Sequence, residues 1–128
     1  SGQYSSKLIN LSGKQRMYSQ RLANLYFINL IGINDKDFQE KLTHTIKSFE
    51  MTQKTLEGYK GNTESINKKL KKVKLSFNFF KDLAKGKIKT PMPLMINLNS
   101  NAILENMDKI TKEYSQLAQQ PRDHKSPI

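Results

Sequence analysis

Apolar residues recur every three or four positions along most of the chain, the period of a helix with one face turned to a core. The first run reads Leu8, Leu11, Gln15, Tyr18, Leu22, Leu25 and Asn29, and predicts a helix from about Tyr4 to Ile31. A second stripe lies about 100° around the same helix: Ile9, Gly13, Arg16, Gln20, Ala23, Phe27 and Leu30. Its ends are apolar and its middle is small or polar. Two stripes imply two sets of neighbours, and the second suits contact with another subunit. Gly13 costs a helix about 1 kcal/mol relative to Ala, so a close backbone approach is expected there.

Gly32 suits the position just past this helix, and Asn34 or Asp35 the N-cap of the next. The second helix, about Asp37 to Tyr59, carries Phe38, Leu42, Thr45, Phe49, Thr52 and Leu56 in register. Gly58 and Gly61 close it. Asn62 or Thr63 caps a third helix running to about Ala84, with Ile66, Leu70, Val73, Phe77 and Phe80 on one side. Residues 86–93 contain Pro91 and Pro93 and form a connection. The fourth helix is expected only from Ser100 to about Gln119, because the Asn-rich residues 97–101 weaken its start. Its stripe is Ile96, Ser100, Ile103, Met107, Ile110, Tyr114 and Leu117. Four such helices with short links predict an all-α, antiparallel up-down-up-down four-helix bundle over residues 1–120. The expected core is Leu8, Leu22, Leu25, Leu42, Phe49, Leu56, Leu70, Val73, Phe77, Phe80, Ile103, Ile110 and Leu117. Residues 121–128 are polar with two prolines and are expected to be a disordered or introduced tail.

The 128 residues suit one domain, and the formal net charge is +11. A basic balance permits nucleic acid, anionic lipid or small anions as partners. Lys68, Lys69, Lys71, Lys72 and Lys74 oppose the apolar side of the third helix and lack interleaved aromatics, so they read as a solvated face, with Lys68, Lys69 and Lys72 exposed. There is no Cys, which excludes disulfides and thiolate metal sites. His44 and His124 have no metal-ligand spacing around them. No Ser/His/Asp arrangement, phosphate-binding loop or carboxylate pair in an apolar setting is present, so no enzyme, cofactor or metal is expected. The five Met are read as packing residues. No apolar run reaches the ~20 residues of a membrane span, and the chain reads as a soluble module of a larger protein.

The chemistry concentrates in Asn10-Leu11-Ser12-Gly13-Lys14-Gln15-Arg16-Met17-Tyr18-Ser19-Gln20-Arg21. Two of the three Arg of a Lys-dominated chain fall here, and no Asp or Glu precedes Asp35. Arg replaces Lys with advantage where a planar fork must hold a planar oxyanion. Arg16 and Arg21 lie about 140° apart on a helix, so the two cannot converge on one ligand unless one reaches around. Two copies of Arg16 could meet across a twofold axis and share an anion.

This stretch resembles the motif of the PilJ-type sensor domain of type IV pilus chemoreceptors, other chemoreceptors and nitrate/nitrite sensor kinases. The resemblance implies an extracytoplasmic, periplasmic sensor domain of an inner-membrane receptor, inserted between flanking membrane-spanning segments. It implies a homodimer through the first helix and a small anion, nitrate or nitrite, held at that interface. Arg16 inherits the ligand-binding role, with Gly13 and Gln20 beside it and Arg21 as a further ligand-binding candidate. The alternatives are a basic module that binds nucleic acid and a purely structural dimerising bundle.

Overall fold

A computed structural model describes residues 2–89 and 92–120. The expected tail, 121–128, and Pro91 of the last connection lie outside them. The described residues form four helices and no strand: α1 (Gly2–Leu30), α2 (Lys36–Glu57), α3 (Glu64–Ala84) and α4 (Pro93–Ala118). Each helix packs on its sequence neighbours, and α4 returns to α1 in the most extensive helix–helix contact. Cross-links fix the antiparallel sense. Arg16 and Ser19 ascend α1 as their partners Asp108 and Ser100 descend α4. The result is the up-down-up-down four-helix bundle that the heptad pattern predicts.

The helix ends follow local chemistry. Asp35 caps α2 by accepting a hydrogen bond from the Phe38 N–H at 2.9 Å, and Thr63 caps α3 by accepting from Ile66 N–H at 3.1 Å. After α1 the chain turns through Gly32 (φ +97°), whose conformation lets the N–H groups of Gly32 and Ile33 reach back to the carbonyls of Asn29 and Ile28. Gly86 (φ +73°) ends α3 in the same way. Replacing Asp35 with Ala is expected to cost about 1 kcal/mol, measured as a lower urea midpoint at unchanged m-value; no change would mean that the cap contributes nothing.

Of the expected core, all but Leu117 are buried, and Leu117 is half-buried against the others. Phe49 and Phe77 stack with ring centroids 4.1 Å apart between α2 and α3. Tyr26 crosses from α1 and donates its hydroxyl to the Phe80 carbonyl at 3.2 Å. Its burial pushes the phenol pKa well above the ordinary range.

Several local expectations fail, the packing role of the methionines among them: Met17, Met51, Met92 and Met95 are exposed, and Met107 is buried. Helix α4 begins at Pro93, not Ser100: proline is tolerated in a first helical turn, where its missing N–H is not needed, and residues 97–101 sit inside the helix. Ile96 and Ser100 are buried there and supply the packing that overrides the weak Asn propensity. On α1 the inward stripe runs Leu8, Ser12, Gln15, Ser19, Leu22, Tyr26, so Leu11 and Tyr18 are only half-buried. On α3, Lys69 is not free in solvent, because its ammonium lies 2.8 Å from the Glu113 carboxylate of α4. Lys68 and Lys72 are exposed as expected.

Candidate anion-binding face of the first helix

The orientation of α1 is held by the buried Leu8, Leu22, Leu25 and Tyr26 together with polar side chains in the same stripe. Gln15 is fully buried and donates through Nε2 to the Phe49 carbonyl and to Gln53 Oε1, both at 3.1 Å on α2. Gln53 continues the network, donating to the Leu70 carbonyl of α3 and to Glu57, again at 3.1 Å. On the other flank Ser19 bonds the Ser100 hydroxyl and carbonyl of α4 at 3.2 Å. Ser12 donates to the Leu8 carbonyl of its own helix at 2.8 Å. Such buried groups are costly unless paired, so a rotation of α1 that broke them would be penalised. Gln15 Oε1 has no hydrogen-bond partner, so the network is not fully satisfied.

With the rotation fixed, Gly13, Arg16 and Gln20 share one side of α1, at the border between the α4 contact and the outer surface. Gln20 is exposed. A Cβ built on Gly13 would meet nothing within 4 Å. The close approach expected at Gly13 is therefore not made within the chain; the backbone there is accessible from outside. Arg21 is exposed around the helix from Arg16, and no ion pair is found for it among the described residues. The structure thus brings three of the four candidates together and leaves Arg21 apart.

Arg16 does have a carboxylate partner, supplied by another helix. Its Nη1 lies 3.1 Å from Asp108 Oδ1 on α4, with the two side chains 44% and 57% exposed. A pair this exposed contributes about 0–1 kcal/mol. Sequence spacing gave no sign of it, since the two residues meet only through tertiary packing. The usable signal was the antiparallel return of α4 beside α1, which brings its acids within reach of Arg16.

Met17, Gln20, Asn24 and Ile28 are exposed on the outer face of α1, Ile31 is 77% exposed just past its end, and Lys7, Lys14 and Arg21 line one edge. This face carries exposed apolar side chains and an accessible glycine. A cavity of about 210 Å³ between α2 and α3, lined by residues such as Glu50, Gln53, Phe77 and Lys81, touches none of the four candidates. No group of three or more His, Cys, Asp or Glu suited to a metal is found among the described residues. None of the described helices is long and apolar enough to cross a membrane.

A protein-family model, the type IV pili methyl-accepting chemotaxis transducer N-terminal domain (PilJ), matches residues 1–125. Comparison with curated proteins and with solved structures gives no match.

Proposed function

We propose, for a chain that belongs to the PilJ family of type IV pili methyl-accepting chemotaxis transducer N-terminal domains, that this sensor domain binds a small planar anion between the first helices of two copies. The full receptor carrying it is an inner-membrane chemoreceptor or sensor kinase, with the bundle in the periplasm between flanking spans. Such a domain binds its ligand without converting it. The observation that carries the reading is the outer face of α1, which combines exposed Met17 and Ile28, and Ile31 just past the helix end, with the open backbone at Gly13 and has Arg16 on its border. A second copy would remove the apolar groups from water, and the missing Cβ would let the two backbones come close.

Arg16 supplies the chemistry. Two guanidiniums ~6 Å apart repel by about 3 kcal/mol at an effective dielectric near 20, whereas an anion ~4 Å from each gains about 4 kcal/mol per contact before desolvation. The sum favours a bound anion. The planar fork favours a flat one with oxygens at its edge, and nitrate and nitrite fit that description. Asp108 already offsets part of the Arg16 charge, so the anion-free repulsion between copies is weaker than for two bare guanidiniums.

Thermal melting and sedimentation of the domain against nitrate, nitrite, chloride, carboxylic acids and amino acids test the reading. A saturable rise in both melting temperature and dimer fraction with nitrate or nitrite, absent with chloride at equal ionic strength, is the expected result. Dimerisation and melting unchanged across the whole panel would favour a purely structural bundle instead.

A further inference from the structure

Arg16 makes the one ion pair found on α1 among the described residues, and its partner Asp108 belongs to the last helix. A carboxylate is itself a planar oxyanion of the shape that the Arg16 fork accepts. Through Nη1 it holds one arm of the fork and so competes with an incoming anion for it. Four residues further along α4 lies Lys112, exposed and without an ion pair among the described residues. An acid four positions before a lysine is the favourable order for a pair along one helix. Lys109, the other nearby cation, is held by Glu105 at 3.3 Å. Asp108 thus has two possible partners, one across the α1–α4 contact and one on its own helix.

Resting on the seam reading above, we infer that Asp108 is the internal counter-anion of the Arg16 site and is displaced when a ligand binds. The ligand takes the guanidinium, and Asp108 turns to Lys112. An ion pair that ties α1 to α4 is exchanged for one contained within α4. Both partners are half-exposed, so the exchange demands no opening of the core. Asp108 is a positioning residue in the free domain and a determinant of affinity: its charge sets the threshold that an anion must exceed. It also gives ligand binding a direct consequence on the helix that ends the bundle.

Titration calorimetry with sodium nitrate and sodium nitrite at constant ionic strength, on the parent, Asp108→Asn and Lys112→Gln, tests the exchange. A carboxylate ~6 Å from the bound anion opposes it by a factor of roughly three in water, or on the order of tenfold for the two carboxylates of a dimer. Asp108→Asn is therefore expected to bind about three- to tenfold more tightly, with an anion-free melting temperature close to the parent's. Lys112→Gln, which removes the substitute partner, is expected to bind about twofold more weakly. A loss of affinity in Asp108→Asn would show that the carboxylate holds the fork for the ligand and would overturn the exchange, as would unchanged affinity in both variants. If the parent itself gives no heat with either salt, the seam reading fails and the exchange with it. If the parent binds and Asp108→Asn does not improve, the exchange alone fails.

Discussion

Truncation of Phe49 to Ala is expected to remove about 3–5 kcal/mol from the stability of the bundle. Phe49 is fully buried and lies flat on Phe77 at 4.1 Å between the ring centroids. The variant loses the transfer energy of a benzyl group and leaves a cavity that two helices cannot close without moving. Its own carbonyl also receives the Gln15 amide, so a shift of α2 to fill the void would disturb a buried hydrogen bond as well. Domains of this size have about 5–15 kcal/mol in total, so the loss should be visible as a large drop in urea midpoint. Leu75→Ala is the control: Leu75 is 70% exposed on α3, and its loss should stay within about 0.5 kcal/mol. A Phe49→Ala midpoint matching that of Leu75→Ala would mean that α2 and α3 are packed in a different register.

Arg16→Lys is expected to leave the anion-free domain nearly unchanged and to abolish most of its response to nitrate or nitrite. Lysine can keep an exposed ion pair with Asp108, and the parent pair is worth only about 0–1 kcal/mol. What lysine cannot keep is the planar fork with paired N–H donors. At a ligand concentration of 100 times Kd the parent gains about 2.7 kcal/mol, a melting shift of several degrees. The variant should show little of it at the same concentration. Arg21→Lys should retain more, because Arg21 lies about 140° around the helix from Arg16 and its Gly13 and Gln20 neighbours. An Arg16→Lys domain that melts like the parent in the presence of the same salt would remove Arg16 from the site.

Much of the fold could be read from the chain because most helix ends carry their own chemistry. Asp35, Thr63 and Gly32 act within a few residues of themselves, and the buried Phe and Leu positions repeat with the helical period. The inner face of α1 was harder. Leu11 and Tyr18 look more apolar than Ser12 and Ser19, yet the serines are buried. Their small side chains let α4 approach, and their hydroxyls find partners in Ser100 and in the preceding turn. Hydrophobicity alone ranks these positions in the wrong order, since the deciding quantities are volume and hydrogen-bond satisfaction. The start of α4 was missed for a related reason: Pro93 and the Asn run oppose helix locally, while Ile96 and Ser100 fix it through tertiary contact. Of the candidate site, the motif identified Arg16, Gly13 and Gln20 as a group, and the helical period separated Arg21 from them. Asp108 could not be found from α1, because a cross-helix ion pair depends on the axial offset between two helices.

The extensive α1–α4 contact has a mechanical consequence. The first residues of α1 and the last of α4 lie at one end of the bundle, side by side and antiparallel. A load that draws these two ends apart sideways opens their shared contact from one end, so each rung, such as Ser19 to Ser100, is strained in turn. A load that slides one helix along the other strains every rung at once. The bundle should therefore be compliant to splaying and stiff to axial shear. Single-molecule pulling from the two ends would give a low rupture force, whereas handles placed to shear α1 along α4 would give a distinctly higher one. A stiff pair of helices can carry a small axial displacement along its length with little loss.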